Sequence, residues 1–145
     1  MDNLFDNILE KDEQIIKIIK PSKSRYWKAP LWPFGLPIFW PHLIVLMVVT
    51  FFTLPFFYAR GYKNLCYAYT NKRLIVRSGM IGVDYRTLDY KDISTSSVDV
   101  GLLDKGGKTG TIFFKSPSAA ISLRYVEKPY DLMREIKEYM TSVNA

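Results

Sequence analysis

The chain has 145 residues, 20 Lys and Arg against 14 Asp and Glu, and a formal charge of +6. That length accommodates one modest domain and an attached segment, and excludes two full domains. One cysteine excludes an intramolecular disulfide, which fits a reducing compartment.

Leu4, Phe5, Ile8 and Leu9 recur at helical spacing and predict a short amphipathic helix over residues 2–10, interrupted by Asp12-Glu13. Ile15–Lys20 reads IIKIIK, a strand ended by Pro21-Ser22. Residues 1–28 are polar and mixed in charge ahead of the first apolar run, so no signal peptide is expected.

From Ala29 to Ala59 there is no charged residue. A hydrocarbon core takes roughly 20 apolar residues per helical span, so this segment is expected in a bilayer. Pro30, Pro33, Gly35, Pro37 and Pro41 break its first half. Pro41 is placed to start a helix over His42–Ala59, and Pro55 is expected to kink its last turns. Trp27, Trp32, Trp40 and Tyr58 are the residues expected at the membrane interface. Two topologies fit, a single crossing and a short or re-entrant hairpin turning near Gly35-Leu36-Pro37. Basic residues on both sides favour the hairpin; too few residues for two full spans count against it. His42 has no second ligand beside it and is read as an interfacial or helix-start residue.

Between Gln14 and Val83 there is no Asp or Glu. Lys23, Arg25, Lys28, Arg60, Lys63, Lys72, Arg73 and Arg77 in that interval are candidate contacts to anionic lipid headgroups. The Lys72-Arg73 turn, with Arg77, is the binding candidate singled out. Such residues also set topology, and a membrane anchor explains the charge without nucleic acid.

Beyond Arg60 the pattern is short strands and turns. Strands are expected at Leu65–Tyr69, Leu74–Val76, Met80–Val83, Asp84–Tyr90, Val98–Val100, Thr111–Lys115 and Ile121–Tyr125. Turns fall at Thr70–Lys72, Ser78-Gly79, Gly101–Gly110 and Ser116–Ser118. Pro129 starts a helix whose apolar stripe is Leu132, Met133, Ile136, Tyr139 and Met140, opposite Arg134, Lys137 and Glu138. A striped helix needs a surface to cover, and the open end of a small barrel supplies one.

Nothing here assembles into catalytic machinery. Gly106-Gly107-Lys108-Thr109 echoes a phosphate loop, but Leu102 stands where the pattern needs its first glycine, and the stretch lies between strands. Asp84, Asp89, Asp92, Asp99 and Asp104 are scattered over strand ends and turns. No catalytic residue, metal ligand set or cofactor is expected. Tyr62, Tyr67, Tyr69, Tyr85 and Tyr90 are read mainly as packing residues.

The phrase YAYTNKRLIVRSGMIG (Tyr67–Gly82) resembles the signature of bacterial pleckstrin-homology-like domains. LDYKDI (Leu88–Ile93), Val98–Val100, GTIFF (Gly110–Phe114), VEKPYDLMREI (Val126–Ile136) and DEQIIKIIKPS (Asp12–Ser22) follow the family's pattern as well. The resemblance implies a mainly β, seven-strand antiparallel barrel with one C-terminal capping helix, on the cytoplasmic side. It implies no agreed catalytic residues. The chain departs from the family's two full spans in having a shorter, proline-broken hydrophobic run.

The organisation expected is an N-terminal helix and first strand over 1–28, a membrane segment over 29–60 and the pleckstrin-homology-like domain over 61–145. The function expected is a non-catalytic scaffold, integral to the plasma (inner) membrane, that recruits or holds a protein partner at the cytoplasmic face. Two alternatives stand beside it, an accessory subunit of a larger membrane complex and an anionic-lipid sensor. Membrane lipids are expected partners, nucleic acid is not, and homo-oligomerisation is left open.

Overall fold

The computed structural model of the chain describes residues 4–28, 43–101, 104 and 108–144. Seven strands and three helices are present among them. Strand β1 (Ile15–Ile19) leads to helix α1 (Lys23–Lys28) and then to helix α2 (Leu43–Asn64). Strands β2 (Cys66–Thr70), β3 (Arg73–Ser78) and β4 (Asp84–Asp89) follow. A 3-10 turn at Tyr90–Asp92 leads to β5 (Thr95–Asp99), β6 (Thr109–Lys115), β7 (Ala120–Glu127) and helix α3 (Pro129–Asn144).

The strands form two antiparallel sheets, ordered β1-β2-β3-β4 and β5-β6-β7. The strand number is the expected one, but the sheet does not close into one continuous barrel. Edge strands β4 and β7 lie near each other without a ladder. Near that gap β7 carries an irregular register against β6, and Tyr125 sits at φ +58. The extra residue bends the strand, and the Tyr125 carbonyl accepts the Ser22 amide at 2.6 Å.

The main core lies between the sheets and under α3. Tyr67, Tyr69, Leu74, Leu88, Ile112, Phe114, Leu123, Val126, Leu132 and Ile136 are all buried in it. Strand β2 alternates as a strand must, yet every residue of it is buried. Tyr67 and Tyr69 point to the main core, whereas Cys66 and Ala68 point to a second cluster with Phe5 and Ile75. The N-terminal segment is therefore the coat on the outer face of the first sheet.

That coat is not the amphipathic helix the spacing predicts. Leu4 and residues 5–8 form a 3-10 start and turns, closed by Ile8 N–H to Phe5 C=O at 3.0 Å. Asp6 and Asn7 favour local turn bonding over helix, and the apolar residues reach the sheet without a regular helix. A clamp fixes the segment. Arg73 donates Nε to Glu13 Oε1 at 3.0 Å, and Nη2 to Glu13 Oε2 and the Ile8 carbonyl, both at 2.9 Å. Thr70 Oγ1 adds a bond to Glu13 Oε1 at 2.7 Å. The Glu13 side chain is 0% exposed and that of Arg73 is 14%.

Other departures are local. Met80–Val83 is a loop, because Gly79 turns the chain at φ +135 and the chain does not pair again until Asp84. Helix α1 follows Pro21-Ser22, where only an end to β1 is expected. Helix α2 continues through Pro55 and past Ala59 to Asn64, beyond the expected boundary at residue 60. The closing helix starts at Pro129 as expected, and strands β1, β2, β3, β4, β6 and β7 fall within two residues of the expected bounds at each end. Thr109 opens strand β6, not a helix, which is incompatible with a phosphate loop.

Buried Glu13 makes the coat sensitive to substitution and to acid. Arg73→Ala leaves a buried carboxylate unpaired and is expected to cost about 3–5 kcal/mol, read by denaturant unfolding. Glu13→Gln/Arg73→Met is expected to recover part of that loss.

Burial alone raises the Glu13 pKa. The hydrogen bonds from Arg73, the Glu10 amide and Thr70 outweigh burial and hold it below its ordinary 4.5. Glu135 is likewise lowered, by hydrogen bonds from Lys17 and then Tyr69. Folded, these carboxylates bind fewer protons than unfolded, so their stabilisation is complete above an unfolded pKa of about 4.3. It fades as pH falls through the lower folded values. Unfolding scans are expected to show stability dropping below that point, with a shallower drop in Glu13→Gln.

Candidate functional site at the helix stem

Pro21 ends β1, and the Ser22 carbonyl accepts the Tyr26 amide at 3.0 Å to open α1. Because Ser22 is also bonded to Tyr125, α1 lies across β7 beside the last turns of α2. Tyr26 then meets Tyr58 at 5.2 Å, Tyr62 at 5.3 Å and Tyr125 at 5.9 Å between ring centroids. Trp27 meets Tyr58 at 6.2 Å. The Tyr62 hydroxyl donates to the Pro21 carbonyl at 3.1 Å. The residues just before the charge-free run thus touch residues at its end. Trp32, Trp40, Pro41 and His42 lie outside the described residues.

The eight candidate cations divide into groups. Lys23, Lys28, Arg60 and Lys63 are exposed, carry no ion pair among the described residues, and sit on α1 and the end of α2. They form a basic collar around the aromatic junction. Arg25 pairs with the nearly buried Asp104, which also accepts from Thr109, and its guanidinium lies 5.3 Å from the Tyr125 ring centre. Arg77, opposite Cys66, is half-buried.

Lys72 and Arg73 stand apart from the stem cations. Strand β2 runs away from α2, so the turn that ends it lies at the far end of the sheet, about 17 Å along the strand. There Lys72 meets Glu10 at 3.3 Å and Arg73 closes on Glu13. A hairpin turn stands opposite the end at which its first strand begins, and position in sequence alone hid this. The cations that remain free at the stem are in the two helices.

A cleft of 370 Å³ opens beside the junction, where β4 and β7 face each other without pairing. Tyr26, Tyr58, Met80, Arg86, Arg124 and Tyr125 are among its lining residues. Its volume is near the lower end of the range of ligand pockets. Arg86 is held by Asp84 at 3.3 Å, and Arg124 is exposed with no ion pair among the described residues. Arg124 was missed by sequence reasoning, since it falls in the middle of a strand with no motif around it.

The family profile described as the bacterial PH domain matches residues 28–140, a range that includes the charge-free run. The chain belongs to the bacterial PH domain family. A solved structure, that of a DUF1696-family protein with a pleckstrin-homology domain from Shewanella loihica PV-4, is similar at a TM-score of 0.49. Identity is 13%, over 94% of this chain and 89% of that one. Nothing among curated proteins matches.

The tyrosines of this PH domain are structural ties. Tyr67 Oη donates to the Arg124 carbonyl at 3.1 Å and accepts its amide at 2.9 Å. Tyr69 donates to Glu135 Oε1 at 2.7 Å, and Tyr90 to the Thr70 carbonyl at 2.6 Å. Burial pushes the Cys66 thiol above its ordinary value, which makes it a poor nucleophile. Among the described residues there is no metal-binding cluster of His, Cys, Asp and Glu.

The junction rests on the Tyr26 ring and not on its hydroxyl, which makes no hydrogen bond among the described residues. Three ring pairs at roughly 0.5–1.5 kcal/mol each set the expected loss in Tyr26→Ala at about 2–3 kcal/mol. Tyr26→Phe is expected to stay within about 0.5 kcal/mol. Denaturant unfolding of the two variants in the same detergent is the check.

Proposed function

We propose that this PH domain is tethered to a bilayer by its charge-free segment and works as a non-catalytic holder of a protein partner at the cytoplasmic face. The observation that carries the reading is the contact of Trp27 with Tyr58 across that segment. A run whose two ends touch leaves and returns on one side, so a hairpin is favoured over a single crossing. The 31 residues of the charge-free run are too few for two full spans of about 20 residues each, which favours a short or re-entrant hairpin.

Among the described residues no helix is long and apolar enough to cross a membrane. The tether reading therefore rests on the sequence of 29–59 and on the junction. The collar of Lys23, Lys28, Arg60 and Lys63 fits anionic headgroups at roughly 1 kcal/mol per cation near the surface. The same residues on both flanks support a cytoplasmic domain under the positive-inside rule. For the partner, the supporting features are the unpaired edges of β4 and β7 and the cleft between them, since an open edge can accept an extended segment.

The free collar also favours a second reading, lipid sensing, with the residues moved from the Lys72 turn to the stem. An accessory-subunit role uses the same surfaces and differs in requiring a fixed stoichiometry.

Alkaline carbonate washing is expected to leave the chain in the membrane pellet. In a Cys66→Ser background, Asn3→Cys and Val143→Cys are expected to react from the same, cytoplasmic side; opposite-side labelling rejects the hairpin. A photo-crosslinker at Ser122 in the cleft is expected to capture a partner that the same group at Lys137 on α3 does not. Charge reversal of Lys23, Lys28, Arg60 and Lys63 is expected to lower co-purifying anionic lipid, whereas Lys72→Glu is expected to leave it unchanged.

A further inference from the structure

Strand β3 returns toward the helix stem, with Arg77 opposite Cys66. The loop that follows it therefore lies beside the last turn of α2. Asn64 holds it there, donating Nδ2 to the Gly79 carbonyl at 3.0 Å and to the Gly82 carbonyl at 3.3 Å. Gly79 permits the turn, since a Cβ there would stand 2.2 Å from the Gly82 oxygen. Met80 leans on the helix at Gly61, its Cγ 3.4 Å from where a Cβ would be.

A loop tied down this firmly presents apolar side chains outward. Ile81 is 83% exposed, Met80 46% and Val83 45%. Such a cluster is unusual on a surface meant for water alone. On α2, which Met80 touches at Gly61, Phe56 is 65% exposed and Phe57 38%. Arg60 and Lys63, exposed and without ion pairs among the described residues, stand on the same last turns of α2. Apolar tips bracketed by free cations are what an anionic bilayer surface accepts: the side chains enter the interface and the cations meet phosphates.

We propose that the Met80–Val83 loop is a second membrane contact, a wedge that enters the lipid interface beside the helix stem and fixes the tilt of the PH domain. The inference rests on the tether reading above and adds a residue-level consequence to it. With stem and wedge both engaged, the domain has two fixed points instead of one. The β4–β7 cleft, lined by Met80 and Arg86, is then held at headgroup height facing along the membrane.

The test uses the full chain with Cys66→Ser in vesicles containing anionic lipid. An environment-sensitive fluorophore is placed at Ile81→Cys or, at the far turn, at Lys72→Cys. The Ile81 probe is expected to emit to the blue of the Lys72 probe. It is also expected to be quenched several-fold more strongly by lipids carrying a nitroxide near the headgroup. Equal quenching at both positions, in a chain that resists alkaline washing, overturns the wedge and leaves the tether standing. Release of the chain by alkali overturns the tether and the wedge together. A blue shift at Ile81 without quenching by any lipid nitroxide means that protein covers the loop, and also overturns the wedge.

Discussion

Leu65 donates its amide to the Gly61 carbonyl at 2.9 Å, and the next residue, Cys66, is already paired with Arg77. Helix α2 passes into strand β2 with no slack. Because β2 is buried on both faces, the helix is coupled to the best-packed strand of the domain. That hand-off defines a near end and a far end for the first sheet. The β3–β4 loop falls at the near end with the stem, and the Asn71-Lys72 turn falls at the far end with the N-terminal coat. Lys72 and Arg73 meet Glu10 and Glu13 because of this polarity, whereas Arg25, on the stem helix α1, pairs with Asp104.

The two ends are stabilised by different physics. At the far end a buried carboxylate is shared among Arg73, Thr70 and the Glu10 amide, a short-range polar lock that excludes water and fixes the coat. At the near end the contacts are rings, Tyr26 against Tyr58, Tyr62 and Tyr125, with cations outside them. An aromatic junction ringed by exposed basic residues suits a boundary between an apolar medium and water, where amphipathic rings are stable. The Glu13 lock lies at the far end and the unpaired cations of α1 and α2 at the near end, which is a consequence of where the strand turns.

Much of the fold was legible. Val, Ile, Tyr and Thr runs between Asn, Gly, Ser and Pro turns marked six of the strands, and the stripe Leu132, Ile136, Met140 marked the closing helix. These are local signals, carried by side-chain period and by backbone preference. The reading failed where a distant partner decided the outcome. Leu4, Phe5, Ile8 and Leu9 have helical spacing, but the outer face of β2 and β3 takes them as turns. Met80–Val83 has strand composition, but Asn64 and the Gly79 turn hold it as a loop. Arg25, Lys72 and Arg73 meet carboxylates that no local signal foretells, since nothing local distinguishes a paired arginine from an exposed one.

The sequence by itself determined the family, the mainly β class with a capping helix, and the charge-free run flanked by basic residues, because each is written in contiguous residues. Only the tertiary structure decided which end of each strand faces the stem. It also decided which carboxylate each cation meets, and that Trp27 meets Tyr58. Those outcomes depend on packing between residues far apart in the chain, and burial, not composition, selects among the pairings that the same residues allow.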